Sequence, residues 1–371
     1  MCHFPSYSLR RVQTRGEELS SWLIKRLDPM SIFEHLHRES KRQNERGRCL
    51  HFADGNRCNE IISAHSIQKK GQLRLIAEDG HVYRLSGEHS NLLQRDGAPY
   101  LNKIGIRRAS TFPGFCKFHD NALFKPIDER PLLPTRQQVA LYAYRCLCRE
   151  AFVKENAVRV LEQAKDHPAL HPDSRKFLLS SFVGHSKGYG GVLHHKKQFD
   201  DALAAQDYDL FEFECFTSNS PCCMQLSGLV YPDFDFSGSQ LQNLGAWHVP
   251  PDLITCFTAP TLDGWALTFA WHVSSRATCI RFIQSLAEHV SRGARLEDAL
   301  FRFCISTCEN HAIRISWWDS LAKASKDQIT DRMVLMAHPR LPVPSDYLAV
   351  GCEGIAKWSY QNVLTALDAD A

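Results

Sequence analysis

Apolar residues recur at helical spacing near the start of the chain. In EELSSWLIKRL, Leu19, Trp22, Leu23 and Leu27 fall near one stripe, so residues 16–46 read as helical. After Pro29 the pattern restarts in SIFEHLHRESKRQNERG, with Ser31 as the expected cap and Gly47 as the stop. From Thr135 to about Ala164, RQQVALYAYRCLCREAFVKENAVRVLEQA reads as one long helix. Four strand-like runs follow: DLFEFECFTS, MQLSGLVYPDFDF, LITCFTAP and WALTFAWHVS. Helical periodicity returns at about 276–290, 295–310 and 317–337. Strands grouped before helices predict an α+β region with an antiparallel sheet and C-terminal helices.

Between these regions, residues 48–128 are short-patterned and rich in turns. HFADGNRC carries Asp54-Gly55. Asp79-Gly80 lies between LRLIA and HVYRL, the signature of a hairpin. Pro126, Pro131 and Pro134 in FKPIDERPLLP mark a boundary. The expected division is an N-terminal helical segment at 1–47, a smaller unit at 48–130 and a larger α+β domain at 135–371. No internal repeat or low-complexity tract interrupts it.

Composition narrows the class. The chain has 371 residues, room for two domains of ordinary size. At 44% hydrophobic and 23% charged it is expected to fold into a packed globule. No apolar run reaches the ~20 residues of a bilayer span, so no membrane partner is expected. The start, MCHFPSYSLRRVQTR, lacks the apolar core of a secretory signal, and a cytoplasmic location is the expectation. Fourteen cysteines need not mean disulfides. Cys146, Cys148 and Cys304 sit inside apolar runs, where reduced, buried thiols are expected. Charge is uneven. Up to residue 130 there are 22 Lys and Arg against 15 Asp and Glu, a net of +7, and the remainder has 22 against 26, a net of −4. A basic first third suits a phosphate-rich partner or, equally, an unevenly charged solvated surface.

The cysteines of the N-terminal third differ from the rest, for they lie among Gly, Asn, His and Asp. Cys49 and Cys58 flank a turn, and Cys116 and His119 form a C-x-x-H pair in GFCKFHDN. Two such pairs supply the four ligands of a tetrahedral Zn2+. A segment with few long apolar runs needs such a staple to hold its shape. The gap between Cys49 and Cys58 is wider than usual, and His51, His65 or His81 could substitute for either.

Between the two pairs runs IISAHSIQKKGQLRLIAEDGHVYRL. With Ala64-His65-Ser66-Ile67 and Cys116-x-x-His119-Asp120-Asn121, this stretch resembles the HNH, or ββα-metal, nuclease superfamily over about a fifth of the chain. It also resembles a bacterial protein group of unassigned activity with the same AHSI and C-x-x-H-D-N elements. The resemblance implies a treble-clef or HNH-like form for the zinc unit. It implies a metal-dependent endonuclease acting on nucleic acid, in a bacterial, defence-related setting. His65 would be the general base, a role suited by a pKa near neutrality. His119, Asp120 or Asn121 would hold a catalytic Mg2+ or Mn2+ or orient the base. In the family an acidic residue precedes the base, and here that residue is Ala64. The basic pairs Lys69-Lys70 and Arg107-Arg108 are the first candidates for phosphate contacts, with Arg42, Arg46, Arg48 and Arg57 nearby. The rival reading is a non-catalytic zinc module that binds nucleic acid or a protein partner, with the C-terminal domain as the recognition surface.

Elsewhere the signals are structural. GHSKGYGG at 184–191 lacks the closing Gly-Lys-Ser/Thr of a P-loop and is expected to be a flexible loop. His194-His195-Lys196-Lys197 is expected at the surface. Asp233 and Asp235 belong to a turn. Cys304, Cys308 and His311 suit a packed helix better than a metal site, and Trp317 and Trp318 suit packing. No Gly-x-Ser-x-Gly elbow or dinucleotide fingerprint is present.

Overall fold

A computed structural model describes residues 29–85, 100–168, 170–246, 248–335 and 343–366, with side chains of the first helix from residue 36. The stripe of Leu19, Trp22, Leu23 and Leu27 lies outside the described residues.

Helix α1 (Pro29–Glu45) starts at the proline rather than at the expected Ser31 cap. Proline tolerates the first helical position because its missing N–H has no partner there. Helix α3 (Arg136–Ala164) matches the long helix expected, and Thr135 caps it by accepting from the Gln138 amide at 3.3 Å. Residues 138–148 of α3 are buried almost all round, as befits a helix at the centre of a core.

The four strand-like runs become β5 (Phe211–Ser218), β6 (Met224–Val230), β7 (Ile254–Pro260) and β8 (Trp265–His272). They form the middle of an eight-stranded antiparallel sheet in the order β10-β5-β8-β7-β6-β9-β2-β3. The remaining four members are all short, among them β2 (His81–Leu85), β3 (Leu101–Gly105) and β9 (His311–Ile313). The eighth is β10 (Asn362–Thr365). Both faces of the central strands are covered. Phe211, Phe213, Phe257, Ala266 and Ala270 pack with α3, whose Tyr142 stacks on Phe257 at 4.9 Å. The alternate residues Trp265, Leu267, Phe269 and Trp271 pack with α5 (Arg276–Ser291) and α6 (Leu296–Thr307). The period of two along a pleated strand divides the apolar residues between these two cores.

Several segments depart from expectation. LRLIA is helical, since Lys69–Leu73 runs into Arg74–Ile76. The Asp79-Gly80 turn does form, with positive φ at both residues, and Glu78 and His81 exchange backbone hydrogen bonds across it. The strand that leaves it, β2, pairs with β3 and β9 instead of with the segment before the turn. GHSKGYGG is no loop but the middle of helix α4 (Pro172–Ala205), which packs along α3. Gly191 is needed there, because a Cβ would stand 2.7 Å from the Tyr231 hydroxyl. His195 and Lys196 are turned inward from α4: His195 is bonded to the Pro251 carbonyl at 2.8 Å, and Lys196 is paired with Asp200 at 2.7 Å. His194 and Lys197 are exposed, as helical periodicity requires. The 317–337 run divides into α7 (Ile315–Ser320) and α8 (Lys323–Met333).

Outside the large sheet, β1 (Ile61–His65) pairs antiparallel with β4 (Thr111–Cys116), matching Ile61 with Cys116 and His65 with Thr111. Helix α2 (Lys117–Asp128) follows β4 directly. Residues 48–130 therefore contribute both to this ββα element and, through β2 and β3, to the eight-stranded sheet. All described cysteines are free thiols. No helix among the described residues is long and apolar enough to cross a membrane.

Candidate metal centre

Cys49 is placed by a strand-like run against β4. Arg48 donates its amide to the Pro113 carbonyl at 3.0 Å, and Leu50 donates to Gly114 at 2.9 Å. The chain then folds back through turns at His51–Asn56, with positive φ at Gly55 and Arg57. This reversal explains how a wide gap still delivers Cys58 beside Cys49. Cys116 closes β4 and caps α2, accepting from the His119 amide at 3.4 Å. Lys117 N–H to the Glu60 carbonyl at 2.8 Å and Phe118 N–H to Asn59 Oδ1 at 3.0 Å lock the helix start to the segment behind Cys58.

The four residues converge. Sγ of Cys49, Cys58 and Cys116 lie 3.4, 3.4 and 3.3 Å from His119 Nδ1, and all four ligand atoms are within 4.8 Å of one another. A tetrahedral ion with bonds of ~2.3 Å to sulfur and ~2.0 Å to nitrogen sets its sulfur–nitrogen edges at roughly 3.5 Å, so the group fits one. Cys49, Cys116 and His119 are buried, while Cys58 is exposed. Burial pushes the Cys49 thiol up to about 12, with the Cys116 and His51 amides pulling the other way. Burial acts upward on Cys116 too, but the His119 and Asn59 amides bring it below its ordinary value. Amide donors aimed at sulfur favour the thiolate that a metal requires.

The suggested substitute ligands stand aside. His51 stacks on His119 at 4.1 Å and 3°, and its Nδ1 accepts from the Ala53 amide. It supports the cluster as a platform, a role no sequence motif announced. His81 sits in the exposed Asp79-Gly80 turn. His65 lies at the far end of the β1–β4 ladder from Cys116.

His65 is half-buried, and its Nε2 donates to the Ile106 carbonyl at 3.0 Å. A carbonyl only accepts, so the proton is on Nε2 and Nδ1 is left with a bare lone pair. Burial lowers the pKa of His65, partly offset by the Ile106 carbonyl, and Lys69, Arg145 and Asp128 act on it more weakly. Asp120, on α2, is raised by burial, with Arg145 lowering and Asp128 raising it. The same charged groups thus act on both His65 and Asp120. Asn121 is exposed. Arg145 of α3 grips Asp128 through two bonds of 2.9 and 3.0 Å and lies over the Phe124 ring at 4.0 Å. This pair was not apparent in the sequence, since nothing local links Asp128 to Arg145. Ala64 is buried.

Lys69 is half-buried and Lys70 exposed, just beyond β1. Arg107 and Arg108 are exposed in the turn that follows Ile106, the residue bonded to His65. Asp233 and Asp235 form turn bonds, Asp235 Oδ1 accepting from the Ser237 and Ser239 amides. Cys304 and His311 belong to different elements, and His311 Nε2 donates to the Cys304 carbonyl at 2.9 Å.

Compared with known proteins, the chain matches no family model, no curated protein and no solved structure.

Proposed function

We propose that the Cys49, Cys58, Cys116 and His119 cluster holds a structural zinc in a treble-clef-like unit. We propose further that the β1–β4–α2 element is an endonuclease centre of ββα-metal type acting on nucleic acid. The observation that carries this reading is the tautomer of His65: its Nε2–H is given to the Ile106 carbonyl, leaving Nδ1 as a base at the end of the β1–β4 ladder away from Cys116. A histidine with a lowered pKa is neutral near pH 7, the form that accepts a proton. In the reaction, water bonds to phosphorus, its proton passes to Nδ1, and the ester P–O bond breaks. Asp120 is the carboxylate that would hold Mg2+ or Mn2+, which when bound offsets charge on the phosphate and leaving oxygen. Lys69, Lys70, Arg107 and Arg108 lie in the segments beside the His65 end of the β1–β4 ladder and would meet the phosphates on either side.

A second reading, a non-catalytic zinc module binding nucleic acid or a protein, has its own support. Ala64 leaves no carboxylate before His65, and Asp128 is occupied by Arg145. A cleavage assay with added magnesium or manganese on wild type, His65→Ala and Asp120→Asn separates the two. The nuclease reading expects cleavage in wild type, its loss in both variants, and unchanged zinc content in His65→Ala. Zinc-loaded protein that cleaves neither DNA nor RNA favours the binding module.

A further inference from the structure

A groove of about 810 Å³ runs between the C-terminal half of α1 and the end of α3. Arg38, Lys41, Arg42, Arg46 and Arg159 line it, and among the described residues Glu45 is its single acidic wall residue. Beneath it lies Glu155, whose side chain is 13% exposed. Its carboxylate gathers three guanidiniums: Arg46 at 2.9 Å, Arg48 at 2.5 Å and Arg159 at 2.8 Å. One carboxylate offsets one of the three charges. It also fixes the planes of the guanidiniums while each retains further N–H donors. Arg48 is additionally held by the Phe152 carbonyl and over the Phe152 ring. Arg46 and Arg159 stay 43% and 44% exposed.

Among the described residues, six cations (the five wall residues and Arg48) meet three acids, Glu39, Glu45 and Glu155, an excess of three positive charges. Such a concave, pre-oriented set of guanidiniums suits an anion that repeats along its length. From Arg38 to Arg46 the helix rises about 12 Å, the length of three to four phosphates along one strand at roughly 3.4 Å each. Among the described side chains of α1 no large hydrophobic one is exposed, so α1 offers no apolar anchor for a bilayer.

We propose that this α1–α3 groove binds the phosphodiester backbone of a nucleic acid, as a contact separate from the His65 end of the ββα element. The identity of the polyanion rests on the nucleic-acid reading above, while the anion site itself rests on the groove. Arg46 and Arg48 lead directly into Cys49, so a strand held here lies against the zinc-binding unit.

The test uses the full chain and the double variant Arg38→Glu/Lys41→Glu. Both positions are exposed, so the fold, checked by circular dichroism, should be retained. Binding of labelled single-stranded and duplex oligonucleotides is measured by fluorescence anisotropy across a salt series. Parallel titrations use inorganic phosphate and phosphatidylserine–phosphatidylcholine vesicles. Wild type should bind with a steep salt dependence. The double variant should bind at least tenfold more weakly, with a duplex salt slope smaller by about 1.8 for two lost phosphate contacts. The proposal is overturned if wild type binds no nucleic acid, if the double variant binds equally well, or if phosphate or vesicles compete as strongly. Groove-dependent binding without cleavage would remove the nuclease reading and leave the groove standing.

Discussion

Removing Cys116 tests the metal centre most directly. The thiol is fully buried, caps α2 and points at His119 Nδ1 together with two other thiols. Cys116→Ala deletes one of the four proposed ligands and a helix cap worth about 1 kcal/mol. The larger effect comes through linkage. An ion bound only by the folded chain, at a free concentration ~1,000 times its dissociation constant, contributes about 4 kcal/mol. With unfolding entropy near ~2.1 cal/mol/K per residue, a chain of 371 residues melting as one unit has roughly 0.8 kcal/mol/K in total. Loss of the ion should then lower the midpoint by about 5 °C, and by several times more if the smaller ββα element melts separately. Elemental analysis should find about one zinc per wild-type chain. Thermal unfolding with and without a chelator is then compared for wild type, Cys116→Ala and Cys304→Ala. Chelator should bring wild type down to about 1 °C above Cys116→Ala, the remainder being the helix cap that only the variant lacks, and leave that variant unmoved. Cys304→Ala should keep its metal and lose only ~1 kcal/mol, because its buried thiol stands apart from the cluster. Wild-type protein without metal, whose midpoint ignores chelator, would refute the reasoning.

Two further predictions concern the frame around the site. His311 is fully enclosed, and burial lowers its pKa to about 4, whereas an unfolded histidine titrates near ~6.5. The unfolded chain binds more protons between these values, so the contribution of His311 is complete above about pH 6.5 and is lost as pH falls towards 4. Denaturant midpoints should drop across that window more steeply in wild type than in His311→Gln, and equal slopes would exclude the assignment. On α4, Gly184 has open space at its Cβ position while Gly191 faces the Tyr231 hydroxyl at 2.7 Å. Gly184→Ala should therefore stabilise by up to ~1 kcal/mol and Gly191→Ala should destabilise by about as much, and a common sign in chemical denaturation would contradict this packing.

Much of this protein is legible along the chain because it depends on neighbours a few residues apart. The long α3 and the four central strands follow from periodicity, and the polar sequence setting of Cys49, Cys58, Cys116 and His119 sets those residues apart from the thiols inside apolar runs. Other elements obey contacts that no local window contains. The glycine-rich middle of α4 is helical because it packs along α3, overriding a composition that favours a loop. The short strands β9 and β10 exist through their partners in the sheet.

The site divides in the same way. Residue chemistry and the turn at Asp54-Gly55 were readable, but Cys49 and His119 are 70 positions apart. They meet only because residues 48–50 run along β4 and β4 pairs with β1. The grip of Arg145 on Asp128, the gathering of three arginines on Glu155 and the proton placement on His65 likewise depend on side chains from separate elements. What the sequence by itself determined was a short list of candidate ligands, the antiparallel α+β character and the main helices, since side-chain chemistry and backbone periodicity are local. Which ligands converge, which tautomer His65 holds and where positive charge collects were decided by the tertiary structure, since each depends on distances that only chain folding sets.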